Sequence, residues 1–174
     1  LGHPVDNKLI FLFDSRHHSV VLEEIGRLRE RTFRFVGEGT GQCKDLDDFD
    51  HYYRHLILWD DRDREIVGAY RLGEIWKWPH NQRRLLYSAT LFDYTEDAAE
   101  LVAAGLELGR SFVQPEYWGK RNLDYLWQGI GAYLARHPQV KYLFGPVSLS
   151  QNLPKKARDL LVCYYSHYYP DPQN

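Results

Sequence analysis

Several residue types and patterns are scarce in this 174-residue chain, and each scarcity argues against a class of protein. There is no methionine, and the two cysteines, Cys43 and Cys163, form no CxxC pair. We therefore expect neither a disulfide framework nor a cysteine-rich zinc site, and the cysteine usage fits a reducing cytosol. A net charge of −2 and a pI near 6.5 give no global reason to expect nucleic-acid binding.

Long hydrophobic runs are also missing. No apolar stretch approaches the about 18 residues that a membrane-spanning helix needs, and no signal-peptide pattern opens the chain. We expect a cytoplasmic protein and, because the sequence starts at Leu1 without any methionine, a fragment of a longer product. The aromatic stretch YYSHYY, residues 164–169, fits peripheral contact with the inner face of a membrane or a partner surface, and core packing explains it equally well.

Composition and residue periodicity predict one α/β (α+β) domain over residues 1–174. The hydrophobic share of 44% and the aromatic share of 15% suffice for one well-packed core. Ser19 is a candidate cap of a helix whose spacing continues as far as Phe35, and GEGTGQ then ends that helix and begins a flexible loop through CKDLDDFD. Asn122 is the predicted cap of a later helix. The predicted strands are KLIFLF, the hairpin HLILWD and EIVGAYRLGEI, LLYSATLF as a strand or irregular extended piece, residues 106–113, and KYLFGPVSL.

The stretch ELGRSFVQPEY places charges in a strand that otherwise reads as buried. Strand alternation would put Arg110 among leucines, and a buried charge requires a partner. The acidic loop supplies Asp45, Asp47, Asp48 and Asp50 as candidates. Gly109 lies where a β-bulge would re-aim Glu107 and Arg110 and leave backbone N–H groups unpaired. A purely structural ion pair in the sheet explains the same residues equally well.

Six motifs in order carry a family resemblance: FRFV, DLDDFDHYYRHLIL, IVGAYRLG, ELGRSFVQPEY, LWQGIGAYL and YLFGPVSLS. Together they resemble the hemolysin-like branch of the GNAT acyltransferase superfamily, which includes ornithine lipid synthase N-acyltransferases. The resemblance spans roughly residues 8 to 169 and implies a mixed, mainly antiparallel twisted sheet flanked by helices. It further implies splayed central strands that form an acyl-thioester cleft, and transfer of a long, 3-hydroxylated acyl chain from acyl carrier protein to the α-amine of ornithine or a related amino acid.

A more distant resemblance to acyl-homoserine-lactone synthases implies individual roles. It lies in Arg31 and Phe35, the spacing Asp45-x-Asp47-x-x-Asp50, Gly68-x-x-Arg71 and Glu107-x-x-Arg110. By this resemblance Glu107 is the first candidate base, acting directly or through water. The supporting charged network would consist of Asp47, Asp50, Arg71, Arg31 and Arg110.

The chain departs from acetyl-CoA-dependent relatives at their phosphate-binding loop. In EYWGKRNLD only Gly119 remains of the glycine pattern, which disfavours a pyrophosphate cradle. We therefore expect no tightly bound cofactor, and an acyl-phosphopantetheine thioester, from acyl carrier protein or coenzyme A, as cosubstrate. A basic docking patch for the carrier protein, for which ordinary solvated surface clusters are the alternative, would comprise Lys120, Arg121, Lys155, Lys156 and Arg158.

Donor binding is assigned to the strands on either side of the cleft. N–H groups from Gly109 to Phe112 would stabilise the oxyanion, and Ser148 would bond the thioester arm or serve only as a polar strand end. Phe112, Trp127 or Phe144 would line an apolar tunnel. The predicted donor-binding set, which includes phosphate-loop positions, is Ser111, Phe112, Val113, Gly119, Lys120, Arg121 and Ser148.

No metal site is expected, because the acidic loop departs from a calcium hand and His51 and His55 have no evident third ligand. Two other functions remain open at this point. One is a non-catalytic GNAT-like module that binds a carrier protein or lipid, and the other is an acetyl-CoA-dependent N-acetyltransferase.

Overall fold

Five strands form one sheet in the computed structural model, which describes residues 6–14, 19–78, 85–150 and 152–170. The strands lie side by side in chain order. The first three pairings are antiparallel and the last, between β4 and β5, is parallel. This confirms the mixed, mainly antiparallel α/β prediction. The strands are β1 Lys8–Asp14, β2 Arg54–Asp60, β3 Glu65–Gly73, β4 Gly105–Val113 and β5 Tyr142–Phe144.

The helices of the described residues are α1 Val20–Phe35, α2 Ala99–Ala103, α3 Asn122–Leu134 and α4 Lys155–Tyr168. Helices α1 and α3 pack against opposite faces of the sheet. Successive residues of β2 point to opposite faces, as the pleat requires. Ile57 belongs to the core that includes Ile25 and Leu28 of α1, whereas Leu56 and Leu58 belong to the core that includes residues of α3. Ser19 caps α1 as predicted, since its side chain accepts a hydrogen bond from the Val21 N–H.

Strand β4 is irregular in the middle and loses its β5 partner halfway. Two β4 residues, Arg110 and Ser111, lie opposite Tyr70 alone, which is a β-bulge. Pairing with β5 extends only from Gly105 to Glu107, and beyond that point the two strands diverge. The predicted bulge and the predicted opening between residues 106–113 and 141–149 are both confirmed.

Two local predictions are wrong. LLYSATLF contains a short 3-10 helix, Ser88–Thr90, instead of a strand, because its backbone hydrogen bonds are local, as from Leu91 N to Ser88 O. Asn122 is the first residue of α3 and does not cap it; its side-chain amide donates to the Tyr117 carbonyl. The predicted loop WKWPHNQRR begins as a 3-10 turn, Ile75–Lys77, and residues 79–84 lie outside the described part.

Helix α4 buries none of its side chains against the described residues. Leu160, Tyr164, Tyr165 and Tyr168 are all exposed, so core packing within the described chain does not account for the YYSHYY stretch. Within the ranges that the structure describes, no helix is both long and apolar enough to cross a bilayer.

The loop after α1, predicted to be flexible, is hydrogen-bonded to one buried carboxylate. Glu30 accepts bonds from Thr40 N at 2.8 Å, Thr40 Oγ1 at 2.6 Å, Gly41 N at 2.9 Å and Arg34 Nε at 2.6 Å. Burial alone would raise the pKa of Glu30, but these donors lower it to about 2 from an ordinary 4.5. The folded state therefore favours the ionised form.

Glu30→Gln should destabilise the protein in a pH-dependent way. Because the folded pKa lies below the unfolded one, the stabilisation is fully present above pH 4.5 and is lost as pH falls toward about 2. Denaturant unfolding at neutral pH should show a loss on the order of 1–3 kcal/mol for the variant. At pH 2 the two proteins should converge, and a constant difference across this range would contradict the assignment.

Candidate active site

A cleft of about 790 Å³ opens where β4 and β5 diverge. One wall is the second half of β4, and the other is β5 with the segment that follows it. Ser111 and Ser148, predicted to bind the donor, and Trp127 and Phe144, predicted to line the tunnel, are among the residues that line this cleft. The further lining residues are Phe33, Glu38, Tyr70, Tyr87, Leu91, Phe92, Leu108, Gly109, Arg110, Leu143, Gly145, Pro146 and Val147.

The bulge directs Arg110 toward the acidic loop. Arg110 has a φ of 49°, in the left-handed region that non-glycine residues rarely adopt, so the left-handed residue is Arg110 and not the neighbouring Gly109. Its guanidinium lies 3.4 Å from Asp45 Oδ2 and 3.6 Å from Asp47 Oδ2. The predicted pairing of Arg110 with the acidic loop is confirmed. About a quarter of this side chain stays exposed, at the edge of the cleft.

Behind Arg110 lies a buried network of opposite charges. Arg29 of α1 binds both oxygens of Asp50, at 3.0 and 2.7 Å, and also bonds the Asp45 carbonyl. Arg71 of β3 lies 2.5 Å from Asp47 and 3.3 Å from Asp50. We call these five residues, together with Arg110, the charge network: Arg29, Arg71 and Arg110 with Asp45, Asp47 and Asp50. Its three cations and three anions balance.

Burial and the charge network together set the protonation states of Asp50 and His55. Burial favours a neutral Asp50, but the hydrogen bonds and charges of Arg29 and Arg71 hold the pKa of Asp50 well below its usual range. Burial lowers the pKa of His55, which contacts the Asp50 carbonyl at 3.1 Å, to about 4. His55 is therefore neutral at pH 7. Among the residues that the structure describes, no group of three or more His, Cys, Asp or Glu side chains could hold a metal ion.

Aromatic rings enclose the remaining side of Arg71. Its guanidinium carbon lies 5.1 Å from the Tyr53 ring, 5.3 Å from Tyr87 and 5.6 Å from Phe49. These are cation–π distances, and they account for a buried guanidinium whose Nε and Nη2 have no hydrogen-bond partner. The Tyr87 ring also lies 5.3 Å from the Arg110 guanidinium carbon. Tyr87 thus links the charge network to the cleft, which it lines.

Glu107 lies beside this aromatic group but not in the cleft lining. The residue is 1% exposed. Its Oε1 accepts a hydrogen bond from Ser88 N at 2.8 Å, and its Oε2 accepts bonds from Tyr87 N at 3.2 Å and from the Tyr53 hydroxyl. The predicted candidate base is therefore a buried carboxylate that already accepts three hydrogen bonds.

Other predicted residues lie away from the cleft lining. The prediction that Phe112 lines the apolar tunnel is wrong, because this residue packs in the core with Ile25 and Leu28. Val113 packs against the other core. Lys120 and Arg121 line a separate pocket of about 580 Å³ with Lys8, Asp60 and Tyr117. The exposed Gly119 has a φ of 71° and lines neither pocket.

The prediction that Arg31 belongs to the charge network is wrong. Its side chain is half exposed and pairs with Glu116, whereas Arg29 holds Asp50. The sequence contained a signal for this, since Leu22, Ile25, Arg29 and Thr32 recur at helical spacing on the buried face of α1. Tyr87 was missed because it lies in LLYSATLF, whose local hydrogen bonding the alternation of residue types does not reveal.

The profile of the acetyltransferase (GNAT) domain family matches residues 28–128, which include the charge network, β2 to β4 and the first half of α3. The chain belongs to the GNAT family. The match spans the bulge of β4 and the aromatic group around Arg71, and so includes one wall of the cleft, whereas β5 and the segment after it follow the matched residues.

Comparison with named proteins shows which N-acyltransferases this chain is similar to. A glycine N(alpha)-acyltransferase of Phocaeicola vulgatus is 35% identical over 87% of this chain and 50% of its own length. A protein of the same name from Bacteroides thetaiotaomicron is 34% identical over 95% and 53%. An L-ornithine N(alpha)-acyltransferase of Brucella abortus is 34% identical over 78% and 47%. The chain thus spans about half the length of these relatives. No solved structure matches it significantly.

Asp50→Asn should be strongly destabilising, whereas Asp48→Asn in the same short 3-10 helix should be nearly neutral. Asp50 is buried between two guanidiniums, and removing its charge leaves them under-compensated; Asp48 is exposed. Denaturant titration should give a loss of about 3–5 kcal/mol for the first variant and under about 0.5 kcal/mol for the second. Equal stabilities would show that the charge network does not hold the site together.

Proposed function

We propose that the protein carrying this chain is an amino-acid N-acyltransferase that moves a long fatty acyl chain from a thioester to an α-amine, in aminolipid synthesis. The observation that carries this proposal is the cleft at the divergence of β4 and β5, with the bulge of Arg110 and Ser111 in its wall. Family membership and the names of the relatives support the reaction class.

The cleft suits a fatty donor on a phosphopantetheine arm. Leu108, Trp127, Leu143 and Phe144 supply apolar surface for the chain, and Ser111 and Ser148 supply hydroxyls for the polar arm. We propose a 3-hydroxylated chain delivered by acyl carrier protein, with coenzyme A as the other donor to test. Docking of the carrier protein is assigned to the basic residues around Lys120 and Lys155.

Charged side chains in the cleft suit an amino-acid acceptor. Arg110 would bind the acceptor carboxylate, because a guanidinium matches a carboxylate in charge and shape. Glu38 is the acidic residue of the described lining and would pair with the side-chain ammonium of ornithine. Glycine has no side-chain ammonium and therefore needs no such acidic partner. The names of the relatives make glycine and ornithine the two acceptors to compare.

The reaction needs no acyl-enzyme. The neutral α-amine attacks the thioester carbonyl, a C–N bond forms, the C–S bond breaks, and the thiolate leaves and takes up a proton. A bulge leaves one residue without its ladder partner, so N–H groups near Ser111 would stabilise the oxyanion. The proton of the amine passes to a base, for which water and Glu107, the base that the family resemblance implies, are the two candidates.

The product would be a lipid amide, which partitions into a membrane. The exposed tyrosines of α4, among them Tyr164 and Tyr168, would form a peripheral contact at the inner face of that membrane. We propose a cytoplasmic enzyme that meets its carrier protein in solution and releases its product at the membrane surface.

The full-length protein should release free thiol and form an N-acyl amino acid when supplied with acyl carrier protein thioesters and either glycine or ornithine. Thiol titration and mass spectrometry of the product measure both events, with acetyl-CoA and palmitoyl-CoA as alternative donors. Carrier-protein binding without thiol release would instead support a non-catalytic module. A preference for acetyl-CoA would support an ordinary acetyltransferase.

Two matched variants connect this activity to the cleft. Arg110→Gln should raise the acceptor KM about 10- to 100-fold, because a charge-assisted hydrogen bond contributes about 1.5–3 kcal/mol. Arg136→Gln, at an exposed position in the turn after α3, should leave KM unchanged. Equal KM values for the two variants would remove Arg110 from acceptor binding.

A further inference from the structure

The Glu107 carboxylate joins the sheet to the backbone of another segment. Its two oxygens bond consecutive backbone N–H groups, those of Tyr87 and Ser88, at the start of the 3-10 helix Ser88–Thr90. The Tyr53 hydroxyl bonds the same carboxylate and also accepts from Tyr87 N at 2.9 Å. A second tyrosine, Tyr52, donates to the Leu85 carbonyl at 2.9 Å.

We propose that Glu107 is a positioning residue that holds segment 85–92 as a wall of the cleft, and that it is not the group that takes the proton from the amine. This inference rests on the proposed acyl transfer for its kinetic consequences. Its structural content, that one carboxylate fixes the segment, stands independently of any turnover.

Access argues against proton transfer to Glu107. A base must come within hydrogen-bond reach of the attacking amine, directly or through one water. Glu107 is 1% exposed, is absent from the cleft lining, and already accepts three hydrogen bonds. Relay through Tyr53 is also disfavoured, because burial and the neighbouring Glu107 raise the pKa of the phenol, which keeps its proton at neutral pH.

The segment that Glu107 holds supplies three residues to the cleft. The Tyr87 ring lies 5.3 Å from the guanidinium carbon of Arg71 and 5.3 Å from that of Arg110, while Leu91 and Phe92 add apolar surface. The turn is continued by the hydrogen bond from Phe92 N to Ser88 O at 2.9 Å. Release of Ser88 and Tyr87 would therefore shift both the aromatic partner of Arg110 and the apolar wall.

Packing behind the carboxylate leaves little freedom. A methyl group at Gly73, which pairs with Glu107 across the sheet, would come within 2.7 Å of the Tyr53 ring and 3.2 Å of Glu107 Cβ. The close approach of the β3 backbone at Gly73 therefore restricts movement of the Tyr53 and Glu107 side chains. A confined carboxylate with fixed acceptor directions is suited to orient two backbone N–H groups.

The test compares Glu107→Gln, Glu107→Ala and the exposed control Glu100→Gln in the full-length protein. Glutamine keeps a carbonyl for Ser88 N–H, so we expect kcat within about 10-fold of wild type and an unchanged acid limb of the pH–rate profile. Alanine removes both acceptors, and we expect an acceptor KM raised about 10-fold or more together with faster amide hydrogen exchange over residues 85–92. Glu100→Gln should change neither.

Loss of the acid limb with a fall of about 1,000-fold or more in kcat for Glu107→Gln, at unchanged KM and exchange, would overturn the proposal and make Glu107 the base. Unchanged exchange over residues 85–92 in Glu107→Ala would also overturn it. Hydrogen exchange requires no substrate. If the wild-type protein shows no acyl transfer, the proposed function is refuted, and the exchange measurement still decides the positioning role.

Discussion

A largely buried array of three guanidiniums and three carboxylates is the constraint on which the site depends. Arg29 and Asp50 are almost entirely inside the protein, where an unpaired charge is very costly. Each therefore needs its partner, and the partners come from α1, the acidic loop, β3 and β4. The low dielectric of the interior makes it costly to separate these opposite charges and strengthens the attraction between them. The elements that carry the charges therefore hold one relative arrangement.

The cleft follows from this arrangement. Arg110 reaches Asp45 and Asp47 only because β4 bulges, and the bulge interrupts the ladder beside the point where β5 separates. The same side chain, about a quarter exposed, is the member of the charge network that lines the cleft. One set of charges thus links the elements around the site and presents a cation to the space in which we propose that an amino acid binds.

Sequence reasoning identified what depends on local pattern and on charge balance. Periodicity predicted α1 and the β2–β3 hairpin, and the cost of an isolated arginine predicted the acidic partners of Arg110. It failed where the outcome depends on packing. Arg29 and Arg31 differ by their helix face, the bulge turned Phe112 into the core, and segment 85–92 takes its form from a distant carboxylate on β4.

A structure of the full-length protein with a non-hydrolysable acyl-pantetheine analogue would show whether the donor binds where β4 and β5 diverge. We expect the carbonyl surrogate beside Arg110 and Ser111, with the acyl chain against Leu108, Trp127 and Phe144. An analogue bound instead in the pocket of Lys8, Asp60 and Tyr117, with the cleft between β4 and β5 empty, would contradict this expectation.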